Sequence, residues 1–174
     1  MGDPALEDLL LAFSERTGIQ AIMLFTPWGW PTVEILHFTG LCLLFGTIGF
    51  FDLRVLGWAK RIPLNALHRL VPIGVAGFCL NAITGVMFLT SDPDQYLYNP
   101  AVQTKAALLL LAGVNMGLFY WLASRELLAL GPGEPSPPRA RFFTLVSLLA
   151  WTGVIACGRL ITFYRPPYHW CFWC

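Results

Sequence analysis

The stretch WPTVEILHFTGLCLLFGTIGFFDLR, residues 30–54, decides the fold. From Pro31 to Phe51 it runs for 21 mostly apolar residues. At about 1.5 Å per residue, a helix of that length covers about 31 Å, the thickness of one bilayer core. Glu34 and His37 interrupt its first third, three residues apart and so close to one helical face. Ionisable groups at that depth are costly in hydrocarbon and turn toward a bundle interior, a cavity or a partner.

Outward from this stretch, composition agrees with a membrane protein. Of the 174 residues, 56% are hydrophobic and 12% charged, against about 25% charged in soluble domains. The net charge of +1 gives no reason to expect nucleic-acid binding. The first residues, MGDPALEDLL, are acidic and lack the basic start of a signal peptide, so no cleavage is expected. Without Ser or Thr at the sixth position they also make a poor myristoylation site.

Residues 1–27 read as an amphipathic helix over 3–24, followed by a Pro- and Trp-broken approach to the first span. Asp3 is placed to cap the helix, Pro4 suits its first turn, and Leu6, Leu9, Leu10 and Phe13 share a face. Such a helix lies at the membrane surface or against the bundle. Residues 28–164 read as a four-helix transmembrane domain with spans at about 31–51, 66–89, 102–123 and 142–163. The expected fold is therefore an all-α membrane protein, a four-helix transmembrane bundle with an N-terminal interfacial helix. Stripes of small residues (Thr39, Cys42, Gly46 and Gly49; Gly74, Gly77, Asn81 and Gly85) let helix backbones approach closely, and packing alone accounts for them. The Pro/Gly segment 131–138 reads as a linker.

Basic residues set the expected orientation. Arg54, Lys60, Arg61, Arg69, Arg125, Arg139 and Arg141 flank the first and third connections, while Arg16, Lys105, Arg159 and Arg165 fall on the other side. The positive-inside rule then places both termini outside, in the periplasm of a Gram-negative bacterium.

With that orientation, Glu34, His37, Thr84, Lys105 and Arg159 reach one depth in the outer leaflet. Two cations beside a histidine suit haem propionates, a quinone headgroup or another anion. An ordinary network, with Glu34 paired to Lys105 or Arg159, accounts for the same residues. Asp52, Arg54, His68 and Arg69 gather at the inner end, where snorkelling or an ion pair suffices. His37 and His68 lie on opposite sides of the bilayer, about 20 Å or more apart by helix rise, too far to ligate one iron. A second axial ligand beside His37 would be His169, Met87, a second copy's His37 or a partner's residue. Glu34-x-x-His37 also echoes di-iron bundles, but those repeat the motif and only one copy is present.

Cys42, Cys79 and Cys157 lie within spans and read as packing residues. The tail 165–174 is aromatic and ends CFWC; Cys171 and Cys174 could form a disulfide or, with His169, bind copper or zinc.

The segments EILHFTGLCLLFGTIGFFDLRVLGW, HRLVPIGVAGFCLNAITGVMFL and SLLAWTGVIACGRLITF, with Tyr98-Asn99 and Lys105 between them, resemble a family of small four-helix bacterial membrane proteins. That family is loosely similar to copper-resistance-D-like and b-type cytochrome four-helix proteins. The resemblance covers about residues 28–164 and implies an inner-membrane bundle carrying haem b or copper, with His37, Asp52, Arg54, Lys105 and Arg159 inside the shared pattern. Paired intramembrane histidines at one depth, usual in b-type cytochromes, are absent. The expected function is a small membrane redox subunit that binds haem b through His37 with Lys105 and Arg159 nearby, between a quinone and a periplasmic partner. The alternatives are a cofactor-free accessory subunit of a larger membrane complex, or a homo-oligomer of this chain, and copper handling through His169, Cys171 and Cys174.

Overall fold

The computed structural model describes residues 4–131 and 133–164. Among these residues every regular element is a helix: α1 (Pro4–Thr17), α2 (Ile19–Phe25), α3 (Gly29–Leu56), α4 (Leu64–His68), α5 (Val71–Ser91), α6 (Pro93–Leu97), α7 (Pro100–Leu122), α8 (Ser124–Leu128) and α9 (Pro138–Leu160), which continues into a 3₁₀ turn at Ile161–Phe163. Four segments are long and apolar enough to cross a membrane, namely Gly29–Leu56, Leu64–Ser91, Pro100–Leu122 and Pro138–Phe163. The expected cap at Asp3 and the whole 165–174 tail, with His169, Cys171 and Cys174, lie outside the described residues.

Local sequence explains where the helices break. The N-terminal helix expected over 3–24 divides at Gly18, whose φ of +73° is left-handed. Helix α3 extends to Leu56 and stops at Gly57, with φ +114°; its N–H reaches Arg54 O at 3.2 Å and Trp58 N–H reaches Leu53 O at 3.0 Å. Within the second apolar segment, Leu64–Ser91, α5 starts only at Val71, after the short α4, because Pro72 has no N–H to bond back toward His68. The buried Asn99 starts α7: its side-chain oxygen accepts from Ala101 N–H at 3.0 Å, and its amide donates to Ile161 O at 3.0 Å. One residue thus caps one long helix and holds the end of another.

The four long helices form an up-and-down bundle. Helix α3 packs on α5 and on α9, and α7 packs on α9, whereas α5 and α7 barely meet. The seam of α3 runs along Val33, Gly40, Leu44, Phe51 and Val55, all buried, in the 4–3 spacing of closely packed helices. Tightest packing lies at the end bearing α4 and α8, where Phe51, Val55, Leu64, Leu67, Phe119, Ala123, Leu127 and Ala140 form one cluster. Six exposed basic residues decorate this end, which is called the basic end below. The linker is held to it, since Gly133 N–H donates to Lys60 O at 3.2 Å.

At the opposite, terminal end, α1 lies against α5 and α6, and α2 against α3 and α5. Ser14 and Met23 are buried there, while Leu6, Leu9 and Phe13 stay exposed. Helix α1 thus packs against the bundle and leaves Leu6, Leu9 and Phe13 outward.

Candidate functional site

The site at the terminal end starts from the crossing of α3 and α5. Gly40 and Gly77 face each other so closely that a Cβ on Gly77 would lie 2.6 Å from Gly40 O, and one on Gly40 would lie 2.8 Å from Gly77 O. Only glycine lets the two backbones meet. Three residues above the crossing, His37 is consequently pressed against α5. Asn81 Nδ2 donates to His37 O at 3.2 Å and to Gly77 O at 3.3 Å, so the side-chain amide bridges the two helices.

The His37 ring lies with Nδ1 2.7 Å from Thr84 Oγ1 and edge-on to Phe88, whose centroid is 5.7 Å away. Thr84 has one hydroxyl proton and two helical carbonyls within reach, Leu80 O at 2.7 Å and Asn81 O at 3.2 Å. With that proton on a carbonyl, its oxygen accepts from Nδ1–H of His37 and the Nε2 lone pair is bare; with that proton on Nδ1, the tautomer is the reverse. Trp30 and Tyr96 pack on Phe88 in turn, at 5.0 and 6.3 Å between centroids.

Lys105 of α7 stands in the same half of the bundle. It is half-buried beside Cys157 and Gly158 of α9, with Nζ 3.8 Å from the Cβ position of Gly158.

The other expected members of this cluster stand apart. Glu34 is exposed, 60° around the helix from the seam that holds His37. Arg159 is exposed as well; it donates to Thr162 Oγ1 at 3.1 Å and lies over the Phe163 ring at 5.6 Å. Met87 is half-buried on α5, three residues beyond Thr84. His68 is at the basic end, where its Nε2 lies 3.2 Å from the Tyr120 hydroxyl and its ring packs near Phe51. Its separation from His37 agrees with the helix-rise argument. Cys42 and Cys79 are exposed and Cys157 is buried, all as free thiols.

The basic end holds a second polar centre. Asp52 and Arg54 are 3% and 1% exposed, so they are enclosed where snorkelling was expected. Arg54 Nε donates to Ile62 O at 2.8 Å and pins the loop after α3, while its Nη2 has no hydrogen-bond partner. Ser147 of α9 faces the Asp52 carboxyl, whose Oδ2 is unpartnered. Asn115 of α7 donates to Phe143 O of α9 at 3.0 Å on the same half of the bundle.

Among the described residues no group of three His, Cys, Asp or Glu side chains could hold a metal ion. The chain matches no protein-family model, no curated protein and no solved structure in the comparisons made.

Proposed function

We propose that this chain is a small integral membrane subunit that binds a redox group, haem b, in the terminal half of its bundle. The observation that carries this reading is the His37 imidazole, held between Thr84 and Phe88 in the terminal half of the bundle. With Thr84 accepting from Nδ1–H, Nε2 of His37 would be free to hold the iron, and the half-buried Lys105 ammonium would offer a charge-assisted contact to a propionate. Bound there, haem b would supply one-electron transfer. The protein's own part is to hold the imidazole in one tautomer, shield it behind Phe88 and balance negative charge with Lys105. A second ligand would come from Met87, from His169, from a second copy or from a partner subunit.

In this reading the four helices cross a bacterial inner membrane with the basic end in the cytoplasm and both termini in the periplasm. The site then stands on the periplasmic side and exchanges electrons between a quinone and a periplasmic partner. Reduced-minus-oxidised visible spectra of the purified protein, made with ample haem, test it. Wild type should show a Soret shift with α and β bands; His37→Ala should lose them and Lys105→Gln should alter the midpoint potential. A flat wild-type spectrum from folded protein would remove haem from the isolated chain.

A second reading, an accessory subunit of a larger membrane complex, is favoured by the outer face of α7. Gly113 and Gly117 have open space where a Cβ would stand, and Leu110, Val114 and Trp121 around them are 71%, 53% and 79% exposed. Small residues four apart on an unpacked apolar helix suit a partner helix. Cysteine crosslinking from position 113 to a co-purifying membrane protein would support it.

A further inference from the structure

At the basic end, away from His37, a groove of about 610 Å³ opens between the end of α7 and the start of α9. Its walls are Leu122, Pro138, Phe142 and Phe143, and Arg139 stands in its lining. The volume falls within the range of roughly 300–1,000 Å³ typical of small-molecule sites. Four apolar side chains and one guanidinium make a surface that is greasy along its length and cationic at one place.

The charge around it has one sign. Lys60, Arg61, Arg69, Arg125, Arg139 and Arg141 are all exposed at this end, against the exposed carboxylates of Glu126 and Glu134. Glu134 is engaged locally, since its Oε2 accepts from Gly131 N–H at 2.9 Å. Arg139 is exposed in the lining and can meet an anion from outside. Phe142, at 63% exposure, gives the wall an aromatic surface of the kind that favours the bilayer interface.

We infer that this groove seats one anionic phospholipid, an acyl chain lying on Leu122, Phe142 and Phe143 with the phosphate on Arg139. A soluble anion satisfies the guanidinium and leaves the apolar wall bare. A zwitterionic phospholipid covers the wall and offers Arg139 the same phosphate, but it also brings an ammonium among the six exposed cations of this end. A lipid with net negative charge matches both halves of the groove without that repulsion. The inference rests on the four long helices crossing a bilayer and is independent of the redox reading.

Native mass spectrometry of the full chain, released from micelles doped with phosphatidylglycerol or phosphatidylcholine, tests it. Wild type should retain one phosphatidylglycerol about fivefold better than phosphatidylcholine, the ratio for about one basic contact. Arg139→Gln should erase the preference, and Arg125→Gln, outside the groove, should keep it. Equal retention of the two lipids, an unchanged Arg139→Gln, an equal loss in Arg125→Gln, or displacement of the lipid by inorganic phosphate would each overturn the site. The haem spectrum is expected to stay the same in Arg139→Gln, so failure of one reading does not mimic failure of the other.

Discussion

Replacing Gly77 with alanine strikes the bundle at its narrowest point. The added Cβ would lie 2.6 Å from Gly40 O, 2.8 Å from Leu44 N and 2.9 Å from Leu43 Cβ. Two of these atoms are backbone, so rotating a side chain brings no relief. Ordinary contact begins near 3.4 Å, and the two helices must part by about 0.8 Å to reach it. The same parting stretches the His37–Thr84 bond from 2.7 Å and the Asn81–His37 bond from 3.2 Å beyond hydrogen-bonding range. Overpacking costs about 1–3 kcal/mol. Two interhelical bonds lost within a membrane add about 1 kcal/mol. The better helix propensity of alanine returns about 0.5–1 kcal/mol, so the net loss is about 1–3.5 kcal/mol. Gly46→Ala is the matched control, because nothing stands within 4 Å of its Cβ position; it should gain about 0.5–1 kcal/mol. Detergent-titrated unfolding followed by circular dichroism measures both. If Gly77→Ala unfolds within about 1 kcal/mol of Gly46→Ala, the close crossing is not a feature of the folded protein and the derivation of the His37 geometry fails with it.

Other perturbations test separate parts of the structure. Thr84→Val removes the hydroxyl bonded to Nδ1, and ¹⁵N NMR of the imidazole should show the single tautomer of the wild type replaced by a mixture; an unchanged spectrum would contradict the bond. Asp52→Asn replaces an enclosed carboxylate whose Oδ2 has no partner, so stability should hold or rise by about 1 kcal/mol in the same unfolding assay, and a clear loss would reveal a partner for the charge. Asn99→Ala should lose about 2–3 kcal/mol by removing the α7 cap and the tie to Ile161 together, whereas Asn99→Asp should keep the cap and lose only the tie. Gly57→Ala, forced to φ +114°, should cost about 1–2 kcal/mol and speed tryptic cleavage at the exposed Lys60 and Arg61, read by timed digestion.

Much of this architecture is legible in the chain because length and apolarity are local properties. Four long apolar stretches, Pro at the starts of α5, α7 and α9, and Gly57 at the end of α3 carry the helices and most of their limits. The candidate site is legible only in part. His37, Thr84 and Asn81 fall together because antiparallel neighbours of known register place them at one depth. Glu34 does not join them: three residues turn a helix by 300°, and the α3–α5 contact is too narrow to enclose a position 60° off its seam. The 33–40–44–51–55 spacing carried that information, and it admits His37 while leaving Glu34 outside. Burial of Asp52 and Arg54 could not be read from the chain. It depends on α4, α8 and the linker folding over the end of α3, and those contacts come from segments distant in sequence.

The glycine crossing turns α3 into an unequal lever. His37 lies three residues from Gly40 and Asp52 twelve residues from it on the other side, about 4.5 Å and 18 Å along the axis. If α3 tilts about that fulcrum, a 2 Å movement at the Asp52 end becomes about 0.5 Å at the imidazole. That is enough to lengthen the 2.7 Å bond to Thr84 to the edge of hydrogen bonding. The histidine is then a fine gauge of what happens at the far end of its own helix: coarse motion there is geared down to a change of bond length here.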